Sequence, residues 1–397
     1  MFFFCSSPAV WRVKPARLIV EPPMKVAVYA IALNEAKFAE RFMAACRDAD
    51  LVLVADTGSS DETPELLAKM GADVQSIRIA PWRFDAARNA ALALLPPDVD
   101  ACVSLDLDQT LEPGWRDLLE RAWRGEVNQL YYSLIFRTAG QGGEHAFQDN
   151  RIHARRGFTW RYPCHECLMT EDDVPARTAI EPRLTILHEP DDAKPRTGYL
   201  PLLELAAREA PDDPRCAHYL GRELFYAGRY AEGMAELERF FVLPPGRSSI
   251  ERNASLRLLA HCQEGLGDGD GALARFQQAA NEAPHLQGAW ISLAWAYFRR
   301  QDWPQCLAAA ERAIAFPYGV RDYGDDISPG VVPEDMACLA AWALGRPHEA
   351  LAFARAALAK APASPRIRAN MERIEAALAR SGKQAFGVSM TSIGEKN

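Results

Sequence analysis

The sequence predicts an α/β domain followed by an all-α repeat solenoid, and three observations carry that prediction. Short β-rich runs alternate with helical stretches from Met24 to about residue 195. Beyond Pro195 the composition turns to Ala, Leu, Arg and Glu at helical period, and this second half repeats itself at a spacing of 34 residues. A chain of 397 residues has material for two or three domains. The expected boundaries are a leader at 1–23, an α/β domain at 24–195, a repeat domain at 196–380 and a flexible tail at 381–397. The leader reads either as disordered or as a mis-called start, with a targeting role as the other reading.

In the first half KVAVYAIAL (25–33) is the first strand, AKFAERFMAACRDA (36–49) a helix, DLVLVAD (50–56) a strand and TPELLAKMG (63–71) a helix. WRFDAARNAAL (82–92) opens a helix after a turn at Pro81, and ACVSLDLD (101–108) is the next strong strand. NQLYYSLIFRT (128–138) and the region through LTILH (184–188) supply later ones. Helices of that length between strands imply right-handed crossovers and a parallel sheet.

In the second half Leu259, Ala260, Phe276, Ala279 and Pro284 recur 34 residues later as Leu293, Ala294, Ala310, Ala313 and, one short, Pro317. Leu220, Gly221, Gly228, Tyr230, Leu237 and Pro245 fit the same template, as do Gly345, Ala350, Ala354, Ala357 and Pro362. These four units over 214–362 resemble tetratricopeptide repeats, interrupted by a Pro/Gly/Asp-rich insertion near 318–333. No unit buries its apolar face alone, so they must stack, and PRIRANMERIEAALAR (365–380) reads as the capping helix.

Composition narrows the function. With 45 basic and 53 acidic residues the net charge is −8, which argues against a primary nucleic-acid binder. No run approaches the 18–20 or so apolar residues of a membrane span, so no integral segment is expected, and peripheral attachment at the inner membrane stays open. Nine scattered cysteines suit a reducing, cytoplasmic compartment.

The candidate chemistry sits where strands end. Asp56 closes a strand and Thr57, Gly58, Ser59, Ser60 and Asp61 turn into a helix, at the edge where open α/β sheets bind ligands; a plain capped corner is the alternative. Asp106 and Asp108, two apart on a strand, would share a face and repel unless a cation sits between them, and Mg²⁺ or Mn²⁺ prefers such oxygen ligands. Arg88 at a helix start offers a guanidinium for a phosphate or a base edge; a solvated face with Asp85 as the N-cap is the alternative. Asn34 and Glu35 follow the first strand at the same edge.

Residues 24–190 resemble family-two glycosyltransferases of the GT-A fold, in the bacterial branch that carries C-terminal tetratricopeptide repeats. The resemblance rests on Asn34-Glu35, on Asp56-Thr57-Gly58-Ser59, on Phe84 to Asn89, on Asp106-x-Asp108, on the stretch ending in His165-Glu166 and on the strand ending in His188. It implies a metal-dependent inverting transferase, with a UDP-sugar as the expected donor and a saccharide or peptide as acceptor. Asn34, Glu35, Asp56, Thr57, Arg88 and Asp106 would hold the nucleotide, and Asp106, Asp108, His165 and His188 would hold Mn²⁺ or Mg²⁺. Glu166 would be the base beside Asp108, with Asp149 or a carboxylate from the repeats as its replacement. Glu62 and Gln109 depart from the family pattern. Cys164-x-x-Cys167 lacks a second pair at zinc-ribbon spacing, and the alternative for each histidine is an ordinary core residue or one that supports a ligand without touching the ion. The repeats would engage a protein partner or a second copy, and the first of them would pack on the α/β domain. The rival expectation is a repeat-based scaffold whose α/β domain binds a nucleotide without turnover.

Overall fold

The computed structural model describes residues 23–137, 144–190, 198–244, 249–316 and 330–380. The expected leader, the tail, most of the 318–333 insertion, the boundary at 195 and the anchors Pro245 and Pro317 lie outside the described residues.

The first strand, β1 (Val26–Ala32), pairs in parallel with β2 (Leu51–Asp56); between them run a 3-10 turn, Ala36–Phe38, and α1 (Ala39–Ala45). Next come α2 (Thr63–Lys69), β3 (Asp73–Ser76), α3 (Phe84–Leu94), β4 (Ala101–Ser104), β5 (Gln109–Leu111) and α4 (Trp115–Ala122). The domain finishes with β6 (Gln129–Arg137), β7 (Glu144–Ala154), the hairpin β8 (Phe158–Arg161) and β9 (Cys167–Thr170), and β10 (Thr178–His188). Eight strands form one sheet in the order β3-β2-β1-β4-β7-β6-β10-β5.

The sheet is mixed, not purely parallel as expected. β3, β2, β1 and β4 run parallel, but β7 is antiparallel to both β4 and β6, and β5 is antiparallel to β10. β7 is inserted antiparallel between β4 and β6, whereas β6 and β10 pair in parallel with strands β7 to β9 between them in the chain instead of a helix. Alternate residues of β1 serve two cores, because both faces of the sheet are covered. Val26, Val28 and Ala30 pack with Phe42, Leu67, Trp115 and Leu119, while Ala27 and Tyr29 pack with Ala91, Leu92, Phe158 and Trp160.

The helical half opens with α5 (Tyr199–Glu209), continues as the pairs α6 (Pro214–Tyr226) and α7 (Tyr230–Val242), α8 (Ser249–Gly265) and α9 (Gly269–Glu282), α10 (Gln287–Arg299) and α11 (Trp303–Ile314), α12 (Val332–Ala343) and α13 (Pro347–Lys360), and ends with α14 (Pro365–Arg380). The four pairs share one turn. Gly228, Gly267, Gln301 and Gly345 stand at φ 71°, 84°, 56° and 70° after the first helix of each pair. Each donates its N–H three residues back, to Phe225, Glu264, Phe298 and Trp342, and the following residue donates to Leu224, Gln263, Tyr297 and Ala341. This left-handed cap satisfies the last carbonyls of the helix and reverses the chain. The caps lie 39, 34 and 44 residues apart, so the 34-residue period is strict only between the middle two units.

Those two units also repeat a side-chain bond: Asn253 Nδ2 to the Ala279 carbonyl (2.8 Å) and Gln287 Nε2 to the Ala313 carbonyl (2.7 Å). Within the first pair, α6 and α7 cross so closely that a Cβ on Gly221 would lie 2.6 Å from Leu237 Cγ. The chain is a mixed α/β sheet domain joined to a helical solenoid of tetratricopeptide type.

Candidate functional site

The carboxyl ends of β1, β2 and β4 converge, and the loops that leave them are built by the predicted residues. Asn34 adopts φ 55° and its Oδ1 accepts from Ser60 N (2.7 Å) and Asp61 N (3.3 Å), bridging the loop after β1 to the loop after β2. Asp56 is buried and its Oδ2 accepts from the N–H groups of Gly58 (3.0 Å) and Ser59 (3.1 Å). Thr57 gives both its N–H and its hydroxyl to the Ala32 carbonyl, and Glu35 N donates to Thr63 Oγ1 (2.7 Å). The capped-corner reading thus describes what the Asp56 carboxylate does within this chain.

Asp106 and Asp108 lie on a turn after β4, not on a strand as expected. Gln109 closes it: its N–H donates to the Asp106 carbonyl (2.9 Å), and its buried side-chain oxygen accepts from Asp106 N (3.1 Å). Leu105 and Leu107 are fully buried on either side of Asp106, so the alternation in the sequence survives without the strand. The departure at Gln109 has a structural use, because an amide oxygen here accepts the backbone N–H without adding a third carboxylate.

Asp106 is held by two guanidinium groups. Arg88 Nη2 donates to Oδ1 (2.7 Å) and Arg151 Nη1, from β7, donates to Oδ2 (3.1 Å). Burial alone would raise the Asp106 carboxyl, but Arg88 and Arg151 outweigh it and hold it well below the usual carboxylate range. Arg88, with only 5% of its side chain exposed, also donates Nε to Glu166 Oε1 (2.5 Å) and lies over the Trp160 ring (5.0 Å). Burial would lower the Arg88 guanidinium, and the charges of Asp106 and Glu166 raise it instead. Arg88 therefore ties the turn after β4 to the segment between β8 and β9.

Asp108 has a different partner: its Oδ2 lies 3.2 Å from His188 Nε2 at the end of β10. Arg41, on α1, fixes the same turn by donating to the Asp108 carbonyl (3.2 Å) and pairing with Glu189, whose own N–H donates to that carbonyl. His188 Nδ1 is buried without a partner among the described residues. At this separation the carboxylate and the imidazole are hydrogen-bonded to each other.

His165 does not join them. It adopts φ 51°, stacks on Tyr219 of α6 (4.6 Å) and takes Arg222 Nη2 at 3.0 Å, so its place in the expected metal set is corrected to the junction with the repeats. Asp85 is not an N-cap either. It lies inside α3, where it accepts from Ala86 N and pairs with Arg83. The Asn89 side chain clamps both backbone groups of Trp160, at 2.8 Å each. Among the described residues no cluster of three or more His, Cys, Asp or Glu side chains is placed to hold a metal, and no helix is long and apolar enough to cross a membrane.

Sequence reasoning missed Arg151 and Arg41. The signal for the first was Asp149 two positions before it: the two form an ion pair at 3.1 Å beside the irregularity where β7 shifts register against β6.

The first repeat packs on this edge, as expected. Tyr162 Oη donates to Asp213 (2.5 Å), Arg83 pairs with Glu209 (2.9 Å), and Cys164 enters an apolar cluster with Leu203, Tyr219, Leu220 and Leu224.

No family model matches the chain. It is 27% identical over 314 residues to a TPR repeat-containing protein of Synechococcus elongatus, covering 73% of this chain and 75% of the relative. That share exceeds the half of the chain beyond Pro195, so the alignment reaches into the sheet domain. Among solved structures, MamA is 18% identical with a TM-score of 0.35, over 42% of this chain and 88% of that one. A thermophilic TPR protein of Thermus thermophilus is 19% identical with a TM-score of 0.31, over 45% of this chain and 89% of that one. Glucosyl-3-phosphoglycerate synthase of Mycobacterium tuberculosis, in complex with Mn²⁺, UDP and glucosyl-3-phosphoglycerate, is 24% identical with a TM-score of 0.25, over 29% of this chain and 45% of that one.

Proposed function

We propose a division of labour in which the repeats bind a protein partner and the sheet domain is a metal-assisted glycosyltransferase acting on a nucleotide sugar. The relative named for its repeats supports the first half. The observation that supports the second is the convergence at one sheet edge of the Asn34–Asp56 loops, the Asp106–Arg88–Glu166 chain and the Asp108–His188 pair.

In this reading Asp108 and His188 would hold a divalent ion, which would supply charge neutralisation for a departing diphosphate. Asp106, already engaged by Arg88 and Arg151, orders the turn that presents Asp108. Glu166 takes the acceptor's proton at Oε2, since Oε1 is held by Arg88. The loops of Asn34, Glu35, Asp56 and Thr57 shape the nucleoside end.

A second reading, an interaction protein whose sheet domain binds a ligand without turning it over, is favoured by that relative and by the neutralisation of Asp106 and Glu166 by the chain's own arginines. Release of nucleoside diphosphate from UDP-, GDP- and dTDP-sugars, with peptide and saccharide acceptors, separates the two. The transferase reading expects release that Asp108→Ala and Glu166→Gln abolish. Nucleotide binding without release under any of these conditions would establish the second reading.

A further inference from the structure

The segment from Tyr162 to Cys167 joins the two halves and is constrained from both. Tyr162 and His165 adopt φ 80° and 51°, conformations that residues with a Cβ rarely occupy without support. From the sheet side, Phe84 N donates to the Pro163 carbonyl (2.9 Å) and Arg88 holds Glu166. From the repeat side, Arg215 Nη2 donates to the His165 carbonyl (2.9 Å) and Arg222 Nη2 reaches His165 Nε2. Both guanidinium groups also lie over the Tyr219 ring, at 4.5 and 4.7 Å. The residue clamped by α6 is therefore the immediate neighbour of the residue that holds Arg88 and, through it, Asp106.

We propose that α6 is a structural part of the sheet-domain site: Arg222 and Tyr219 are positioning residues that hold His165 and thereby set Glu166 against Arg88. The occupancy of the sheet-domain site and the docking of the first repeat are then linked, each favouring the other. This linkage deepens the transferase reading and rests on it for its functional consequence, though not for its structural one.

The test uses the full chain as wild type, Arg222→Ala, Arg222→Lys and, as a control, Arg299→Ala, which removes an ion pair with Glu264 farther along the solenoid. Hydrogen exchange is followed in peptides covering 83–92 and 160–168, and UDP affinity is measured with Mn²⁺ present. The proposal expects Arg222→Ala to expose those two peptides while peptides of β1, β4 and α10–α13 keep their protection. UDP affinity should fall about tenfold, a coupling of ordinary size. Arg222→Lys should recover part of both effects and Arg299→Ala should show neither. Unchanged exchange at 83–92 in Arg222→Ala would overturn the proposal, as would a loss of protection spread evenly over the chain. Absence of UDP binding by the wild type counts against the transferase reading alone, because exchange still decides the linkage.

Discussion

The two halves of the molecule are held together in opposite ways. The solenoid uses one local device four times, a left-handed cap at Gly228, Gly267, Gln301 and Gly345, with small residues such as Ala260, Ala294 and Ala337 buried at the helix seams. The sheet-domain edge uses pairs that each occur once and join distant parts of the chain: Arg88 and Glu166 are 78 residues apart, Arg41 and Glu189 are 148 apart. A repeated local device tolerates change at one copy. The Arg88 junction does not, because removing the guanidinium leaves the buried Glu166 carboxylate without its partner.

The largest effect is therefore expected at Arg88. Arg88→Ala would leave Asp106 and Glu166 without their shared cation and should cost about 3–5 kcal/mol in urea unfolding, the range for breaking a buried pair. A loss near that of an exposed pair would remove the contrast between the halves.

The next effect is pH. His153 is fully buried, bonded through Nε2 to Tyr29 Oη (2.9 Å), and burial lowers it from 6.5 to about 4. The unfolded chain takes up this proton near 6.5 and the folded chain only near 4, so the contribution is complete above 6.5 and lost as pH falls toward 4. The loss should reach about 3 kcal/mol across that window, and His153→Gln should flatten it. A wild-type unfolding free energy that does not fall between pH 6.5 and 4 would contradict the assignment.

Within the solenoid, Gly221→Ala puts a methyl against Leu237 and should cost about 1–3 kcal/mol by thermal unfolding. The smallest effect is a gain. Gln301→Gly, at the cap that lacks a glycine, should raise stability by roughly 0.5 kcal/mol; a loss would mean that the Gln301 side chain contributes more than its backbone costs.

The same contrast explains what could be read in the sequence. The helix pairs were legible because Leu220, Leu259 and Leu293 recur with small neighbours in local, periodic patterns. β1, β2 and α3 were legible for the same reason. At the site, the positions Asn34, Asp56, Arg88, Asp106, Asp108, Glu166 and His188 could be named, but not their pairings. That Arg151 would share Asp106 with Arg88 follows from the antiparallel insertion of β7 beside β4, and alternating strands and helices predicted no such insertion. His165 misled because the motif fixes its neighbour Glu166, whereas its own side chain is claimed by α6.

Isothermal titration of the full chain with UDP, with and without Mn²⁺, and again with Asp108→Ala, tests the central claim most directly. UDP binding that requires Mn²⁺ and vanishes in Asp108→Ala, while the solenoid keeps its helical signal, is the predicted result. UDP binding of equal strength in Asp108→Ala, or none in the wild type with the ion present, would contradict it.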